Sequence, residues 1–325
     1  MKIYKTGIIG CGGIAQKMAA TLEKMKGVER YAVASRNQEK AEAFANKWGF
    51  TKAYGSYEEL ASDPEVDLIY IATPHAMHYD NAHMCIEKGK PVLCEKAFTA
   101  NARQAEDLLA FAKEKGVFIT EAIWTRYMPL SLKIQELLKE GVIGTPYTLS
   151  ANLSYPISNK ERIIRPELAG GALLDIGVYT LNFAAMAFGS DIAETHSVCQ
   201  KTQTGVDAQE SITLFYKDGR MATLQSSIYA KSDRMGVISG DKGHLIVENI
   251  NCPESVRVVD ENYKTIAVYH APEQISGYEY QVYASIEAIE KGWLESPYMP
   301  HDETLRIMKQ MDNLRKEWGV IYPCD

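Results

Sequence analysis

Three side chains in this sequence have the types that proton transfer at an alcohol requires. Asp175 and Tyr179 lie four residues apart in Gly170-Gly171-Ala172-Leu173-Leu174-Asp175-Ile176-Gly177-Val178-Tyr179, a spacing that puts both on one face of a helix. A phenol ordinarily titrates at about 10, so it exchanges a proton near neutral pH only where a cation favours the phenolate. Lys96, in Cys94-Glu95-Lys96-Ala97 after an apolar run, could be that cation and could also orient a substrate hydroxyl. Taken separately, Asp175 reads as a solvated or capping acid, Tyr179 as a packed aromatic and Lys96 as a surface lysine.

A second group of residues has the pattern of a dinucleotide cradle. Gly10-Cys11-Gly12-Gly13-Ile14-Ala15 reads G-x-G-x-x-A between an apolar strand and a helix. Gly10 permits the tight turn, Gly12 lets backbone approach a pyrophosphate at the helix N-terminus, and Ala15 keeps helix and strand close. Gly13 and Ile14 open the helix. The next strand ends in Ser35-Arg36-Asn37, where NAD-binding versions carry an acid for the ribose 2′-hydroxyl. Arg36 instead offers a guanidinium to a 2′-phosphate and Ser35 a hydroxyl, which predicts NADP rather than NAD. Further on, Thr73-Pro74-His75-Ala76-Met77-His78 follows a strand whose carboxyl end should border the cofactor crevice. His75 and His78 have no acid or cysteine companion nearby, so no metal site is predicted and His78 is expected to cap or pack.

The elements that position these residues follow from hydrophobic periodicity. Short apolar runs at 4–9, 31–34, 67–72, 92–94 and 117–120 alternate with amphipathic stretches at 14–26, 39–48, 76–88 and 103–115. That alternation predicts a doubly wound parallel sheet. Past residue 122 the grammar changes: strands are expected at 147–155, 194–200, 211–216, 221–228, 234–239, 244–248 and 255–259, punctuated by turns such as Lys217-Asp218-Gly219. Helices are expected at 130–140, 172–188, 278–291 and 302–318. The fold class is therefore α/β followed by α+β: a Rossmann domain over 1–122, and a mostly antiparallel, open-faced sheet with helices over 123–325 that binds substrate and oligomerises. The cleft between two such lobes is the default site.

Composition supports a folded enzyme. The 325 residues are 46% hydrophobic and 24% charged with a net charge of −7, which fits globular averages and gives no positive field for nucleic acid. The N-terminal residues enter a strand too short for a signal sequence, and no apolar run approaches the about 18 to 20 residues of a membrane helix. Six scattered cysteines without C-x-x-C spacing predict reduced thiols. These features together predict a cytoplasmic protein.

In order along the chain, G-x-G-x-x-A, Ser-Arg, Thr-Pro-x-x-x-His, Glu-Lys and Gly-Gly-x-Leu-x-Asp-x-Gly-x-Tyr resemble the Gfo/Idh/MocA oxidoreductase family. The resemblance covers nearly the whole sequence. It implies that Lys96, Asp175 and Tyr179 are catalytic, and that Thr73, Pro74, His78 and Glu95 lie with Lys96 along the cofactor. The family's Glu-Lys-Pro stands here as Glu95-Lys96-Ala97, so a cis bond after Lys96 is not assumed. The stretch Glu121-Ala122-Ile123-Trp124-Thr125-Arg126-Tyr127-Met128-Pro129 is similar to the branch of dimeric dihydrodiol and NADP-dependent xylose dehydrogenases. That similarity implies a substrate pocket formed by Trp124, Arg126 and Tyr155. An indole suits the apolar face of a sugar or carbocycle, and equally suits packing between lobes.

The expected activity is NADP-dependent hydride transfer at a ring carbon of a sugar, cyclic polyol or vicinal diol. The alternative is a non-catalytic NADP(H)-binding sensor, for which an intact Lys, Asp and Tyr set would have no use. Phe215, Met221, Thr223, Leu224, Ser226 and Ile228 mix apolar and small polar side chains, which predicts an open sheet face and a homodimer or dimer of dimers built on it.

Overall fold

The computed structural model describes residues 2–325. They form two compact units, one of residues up to Ile123 with Ile275–Lys309, the other of Trp124–Gln274 with Gln310–Asp325. The first passage between them falls at 123/124, one residue past the expected boundary at 122/123. That boundary does not register the return of Ile275–Lys309 to the first unit, because periodicity shows that a helix has an apolar face but not which sheet covers it.

In the first unit, β1 (Tyr4–Ile9), β2 (Val28–Ala34), β3 (Lys52–Tyr54), β4 (Leu68–Ile71), β5 (Val92–Glu95) and β6 (Ile119–Ala122) make one sheet in the order β3-β2-β1-β4-β5-β6. Every pair is parallel. The helices between them are α1 (Gly13–Lys24), α2 (Gln38–Trp48), α3 (Tyr57–Ser62), α4 (His78–Glu87) and α5 (Ala102–Lys115). All residues of β4, β5 and β6 are buried, as expected of strands covered on both faces. Side-chain caps set where helices begin: Asn37 Oδ1 accepts from the Lys40 amide at 2.8 Å, and Asn101 Oδ1 from that of Gln104 at 2.9 Å. The strand order reverses between β1 and β4, so a ligand crevice lies at the carboxyl ends of those strands.

The second unit begins with α6 (Pro129–Lys139) and β7 (Pro146–Ser154), followed by a short α7 (Glu161–Ile164) and by α8 (Val178–Phe188). Then come β8 (Ile192–Lys201), β9 (Asp207–Tyr216), β10 (Met221–Ser227), β11 (Gly236–Gly240), β12 (Gly243–Glu248), β13 (Ser255–Asp260) and β14 (Thr265–His270). The sheet order is β14-β13-β12-β11-β7-β10-β9-β8. All neighbours are antiparallel except β7 and β10, which run parallel because two helices and the β8–β9 hairpin intervene before the chain returns. After it, α9 (Glu279–Glu290) belongs to the first unit, and α10 (His301–Trp318) gives its first half to the first unit and its second half to the second.

Two expectations are corrected here. The helical stretch Pro166–Phe188 spans 23 residues and is apolar enough to cross a membrane by length and composition, so an apolar run of that length does exist. Within the fold 89% of its most apolar window is buried, as in a core helix. The expected sheet-face set also mixes the two faces of one sheet. Leu224, Ser226 and Ile228 are buried, whereas Phe215 and Thr223 are exposed and Met221 is half-buried. The outward face carries the alternate residues Phe215, Met221, Thr223 and Gln225, since side chains change sides at every position along a strand.

Candidate active site

The first unit gathers its predicted residues at the carboxyl ends of β1, β2, β4 and β5. Gly10 follows β1 with φ of +102°, and a Cβ there would sit 2.8 Å from the Ala72 carbonyl oxygen, so glycine is required on both counts. Gly12 caps α1 in extended conformation, Ala15 is fully buried, and Ile14 is half-buried. A Cβ on Gly13 would meet nothing within 4 Å, and the first turn of α1 holds no acid. The start of α1 is thus open at Gly13 and carries no competing carboxylate, which fits a pyrophosphate.

Ser35 follows β2 directly, and its buried hydroxyl accepts from the Asn37 amide at 3.4 Å. Arg36 is exposed beside Tyr57. Burial pushes the Tyr57 phenol up while the Arg36 guanidinium pulls it down. Tyr57 lies on α3, a helix that periodicity did not reveal, with Cys11 of the glycine-rich turn and Arg36 as its neighbours.

Thr73 and Pro74 follow β4, and Thr73 Oγ1 accepts from Asn81 Nδ2 at 3.0 Å. His78 is fully buried and does not present a ring nitrogen to a ligand: Nδ1 lies 2.8 Å from the Ala97 carbonyl and Nε2 2.8 Å from that of Thr73. Burial lowers its pKa, against the pull of those carbonyls. His78 therefore ties the loop after β4 to the loop after β5, a packing role. Glu95, the last residue of β5, is buried and hydrogen-bonded by the Tyr70 hydroxyl, while Lys96, on the loop that follows, is half-buried. The Lys96–Ala97 peptide is cis, although no proline follows the lysine.

The second unit supplies the remaining predicted residues. Residues Leu173–Gly177 are π-helical and lead into α8, so Asp175 lies in a wider turn than the α-helix expected from spacing. Asp175 and Tyr179 are both buried, at 5% and 6% exposure. The Trp124 indole Nε1 donates to the Tyr179 hydroxyl at 2.9 Å, which places Trp124 against the candidate proton acceptor. Asp175 receives two donors from Arg162, at 2.6 and 3.4 Å. Arg162 carried no local signal: it lies in a four-residue helix and reaches Asp175 only through the fold. Arg126 is buried in the single turn Trp124–Tyr127, and the Tyr155 hydroxyl donates to Asn251 Oδ1 at 3.3 Å.

Residues 4–122 match the model of an oxidoreductase family with an NAD-binding Rossmann fold, and residues 131–246 that of the GFO/IDH/MocA C-terminal domain. Over 330 residues the chain is 35% identical to the trans-1,2-dihydrobenzene-1,2-diol dehydrogenase of Xenopus tropicalis, covering 98% of this chain and 99% of that one. The Homo sapiens protein of the same name is 34% identical over 330 residues, covering 98% of each. Among solved structures, KijD10, a 3-ketoreductase from Actinomadura kijaniata in complex with NADP and TDP-benzene, is similar with a TM-score of 0.87 at 25% identity, over 96% of this chain and 97% of that one. The aldose-aldose oxidoreductase from Caulobacter crescentus, complexed with glycerol, shares the fold with a TM-score of 0.88 at 20% identity, over 98% of both chains.

Proposed function

Because the chain belongs to the Gfo/Idh/MocA oxidoreductase family, as a dehydrogenase acting on CH–OH groups, we propose that it oxidises a ring carbon of a sugar, cyclic polyol or vicinal diol with NADP. The carrying observation is the buried Tyr179 hydroxyl, fixed by the Trp124 N–H in the same helical stretch that holds Asp175 on Arg162. A phenol that accepts one hydrogen bond from a buried donor is oriented for proton transfer.

In the oxidation direction the substrate hydroxyl proton passes to Tyr179 Oη as the carbinol C–H bond breaks. A bound nicotinamide would supply the hydride acceptor, and the alcohol would leave as a ketone or lactone. Lys96 is assigned to the substrate oxygen, and Asp175, oriented by Arg162, accepts from a neighbouring hydroxyl. Trp124 holds Tyr179 and lends an apolar wall. Gly10, Gly12 and the opening amides of α1 would hold the pyrophosphate. Arg36 at the end of β2, where no acid stands, supports NADP over NAD.

Mixing the protein with vicinal diols, inositols and aldoses and following cofactor reduction tests the reading. The expected result is turnover with NADP at least about tenfold above that with NAD, a gap that Arg36→Ala erases. No turnover of any such alcohol, or equal use of both cofactors, would overturn it. The exposed Val198 and Phe215 on the outward face of the second unit's sheet support pairing of two copies there. Light scattering that returns the mass of one chain rejects that assembly.

A further inference from the structure

Beneath the helical stretch that carries Asp175 and Tyr179, β9 presents two buried acids that the chemistry above does not use. Asp207 is wholly buried, and one carboxylate oxygen accepts from the Leu173 amide at 2.5 Å, with the Ala172 amide also directed at the group. These are the first amides of the helical stretch. The other oxygen of Asp207 has no hydrogen-bond partner. It lies where a Cβ on Gly171 would be, 2.3 Å away, so only glycine admits the carboxylate so close to the backbone.

Glu210, three residues on, is 3% exposed, and neither of its oxygens is hydrogen-bonded. It stands across the β9–β10 ladder from Ser226, and its Oε1 lies 2.6 Å from where a Cβ on Gly177 would be. Gly177 sits between Asp175 and Tyr179, so the carboxyl group of Glu210 is the surface on which the stretch rests. The tail holds the residues just before the same stretch: the buried Tyr322 hydroxyl donates to the Gly170 carbonyl at 2.6 Å. Tyr322 is in turn fixed by Asp325, whose carboxylate binds both the Tyr322 amide and Arg315.

Two buried acids with unmet oxygens are costly in a fold that needs only a packed strand there. A function for them is implied by where they point. We propose that Asp207 and Glu210 are positioning residues for the proton-transfer helix, Asp207 by holding its first amides and Glu210 by setting the height of Gly177 above the sheet. This rests on the reading of Asp175 and Tyr179 as the reacting pair.

Burial raises the Asp207 carboxyl to about 6, against the amides that stabilise its anion, and burial followed by the nearby Asp207 charge raises Glu210 well above its usual range. The groups facing them are Cys199 and Lys201 on β8, Arg315 on α10 and Tyr322 in the tail. The Lys201 amine is turned away to the carbonyls of Trp318 and Gly319. Protonating Asp207 replaces a charge-assisted acceptor at Leu173 by a weaker one, and the helix should shift as pH falls through the Asp207 transition.

The indole N–H of Trp124 donates to Tyr179 and reports the position of that helix directly by heteronuclear NMR, assigned with Trp124→Phe. In Asp207→Asn and Glu210→Gln the resonance is expected to move. Over the same variants kcat should fall about tenfold while NADPH affinity stays within about twofold. In the unmodified protein the resonance should titrate with a midpoint at about pH 6, and Asp207→Asn should abolish that titration. A resonance unmoved by both variants and flat between about pH 5 and 7 overturns the proposal, and the titration decides even if the variants do not fold. Full turnover in Tyr179→Phe would instead overturn the reading of Tyr179, leaving the positioning claim to stand or fall on the resonance alone.

Discussion

The Trp124 indole N–H donates to the Tyr179 hydroxyl across 2.9 Å, and both side chains are buried. A donor aimed at a phenol oxygen fixes where that oxygen points, so the indole orients Tyr179 for proton transfer. Trp124→Phe keeps an aromatic ring and removes the donor. The expected outcome is a kcat about tenfold lower near neutral pH, with NADPH affinity unchanged. An unchanged kcat would show that the indole only packs.

Arg162 and Asp175 make the second relationship on which the site depends. Asp175 is 5% exposed, and the Arg162 guanidinium gives that buried carboxyl a charged partner at 2.6 Å. In Arg162→Ala, kcat/KM on diols or sugars should drop about 10- to 100-fold, while Arg162→Lys, lacking the planar fork, should recover only part of the loss. Kinetics identical to those of the unmodified protein in both variants would remove Arg162 from the site.

Far from the chemistry, Asp63 offers a test of fold stability against pH. Burial works to raise its carboxyl, but donors from Lys52 Nζ at 2.8 Å, the Tyr54 hydroxyl at 2.6 Å and the Glu65 amide at 3.0 Å outweigh that, and it is held at about 2. A carboxylate lowered in the fold contributes stability above its unfolded pKa and loses it as pH falls through the folded value. Asp63→Asn should therefore cost about 1 to 2 kcal/mol at neutral pH, a cost that shrinks as pH falls from about 4 and vanishes only below about 2. Denaturant unfolding at several pH values measures it, and a cost independent of pH would assign the effect to shape instead.

The Rossmann half was legible because its strands are continuous apolar runs and its glycines fall where positive φ or close approach demands them, Gly10 above all. β3 and α3 were not seen: β3 is three half-buried residues, too short for a period to show. β14 was missed because an edge strand exposed on alternate positions reads as polar loop. The sheet-face set failed on parity, since Leu224 and Phe215 differ in side although both are apolar and near in sequence.

Lys96, Asp175 and Tyr179 were singled out by motif. Arg162, Tyr57, Asp207 and Glu210 were not, because each reaches its partner through tertiary contacts that no local spacing records. Asp207 and Glu210 did leave a trace, as two acids three apart in a strand otherwise patterned for burial.

The most direct test of the account is hydride transfer in a single turnover by Tyr179→Phe, on a diol or sugar that the unmodified protein oxidises, with NADPH binding measured in parallel. The account predicts unchanged cofactor affinity and a transfer rate lower by about 10²- to 10⁴-fold, the usual contribution of a positioned proton acceptor. Transfer at the unmodified rate would contradict it.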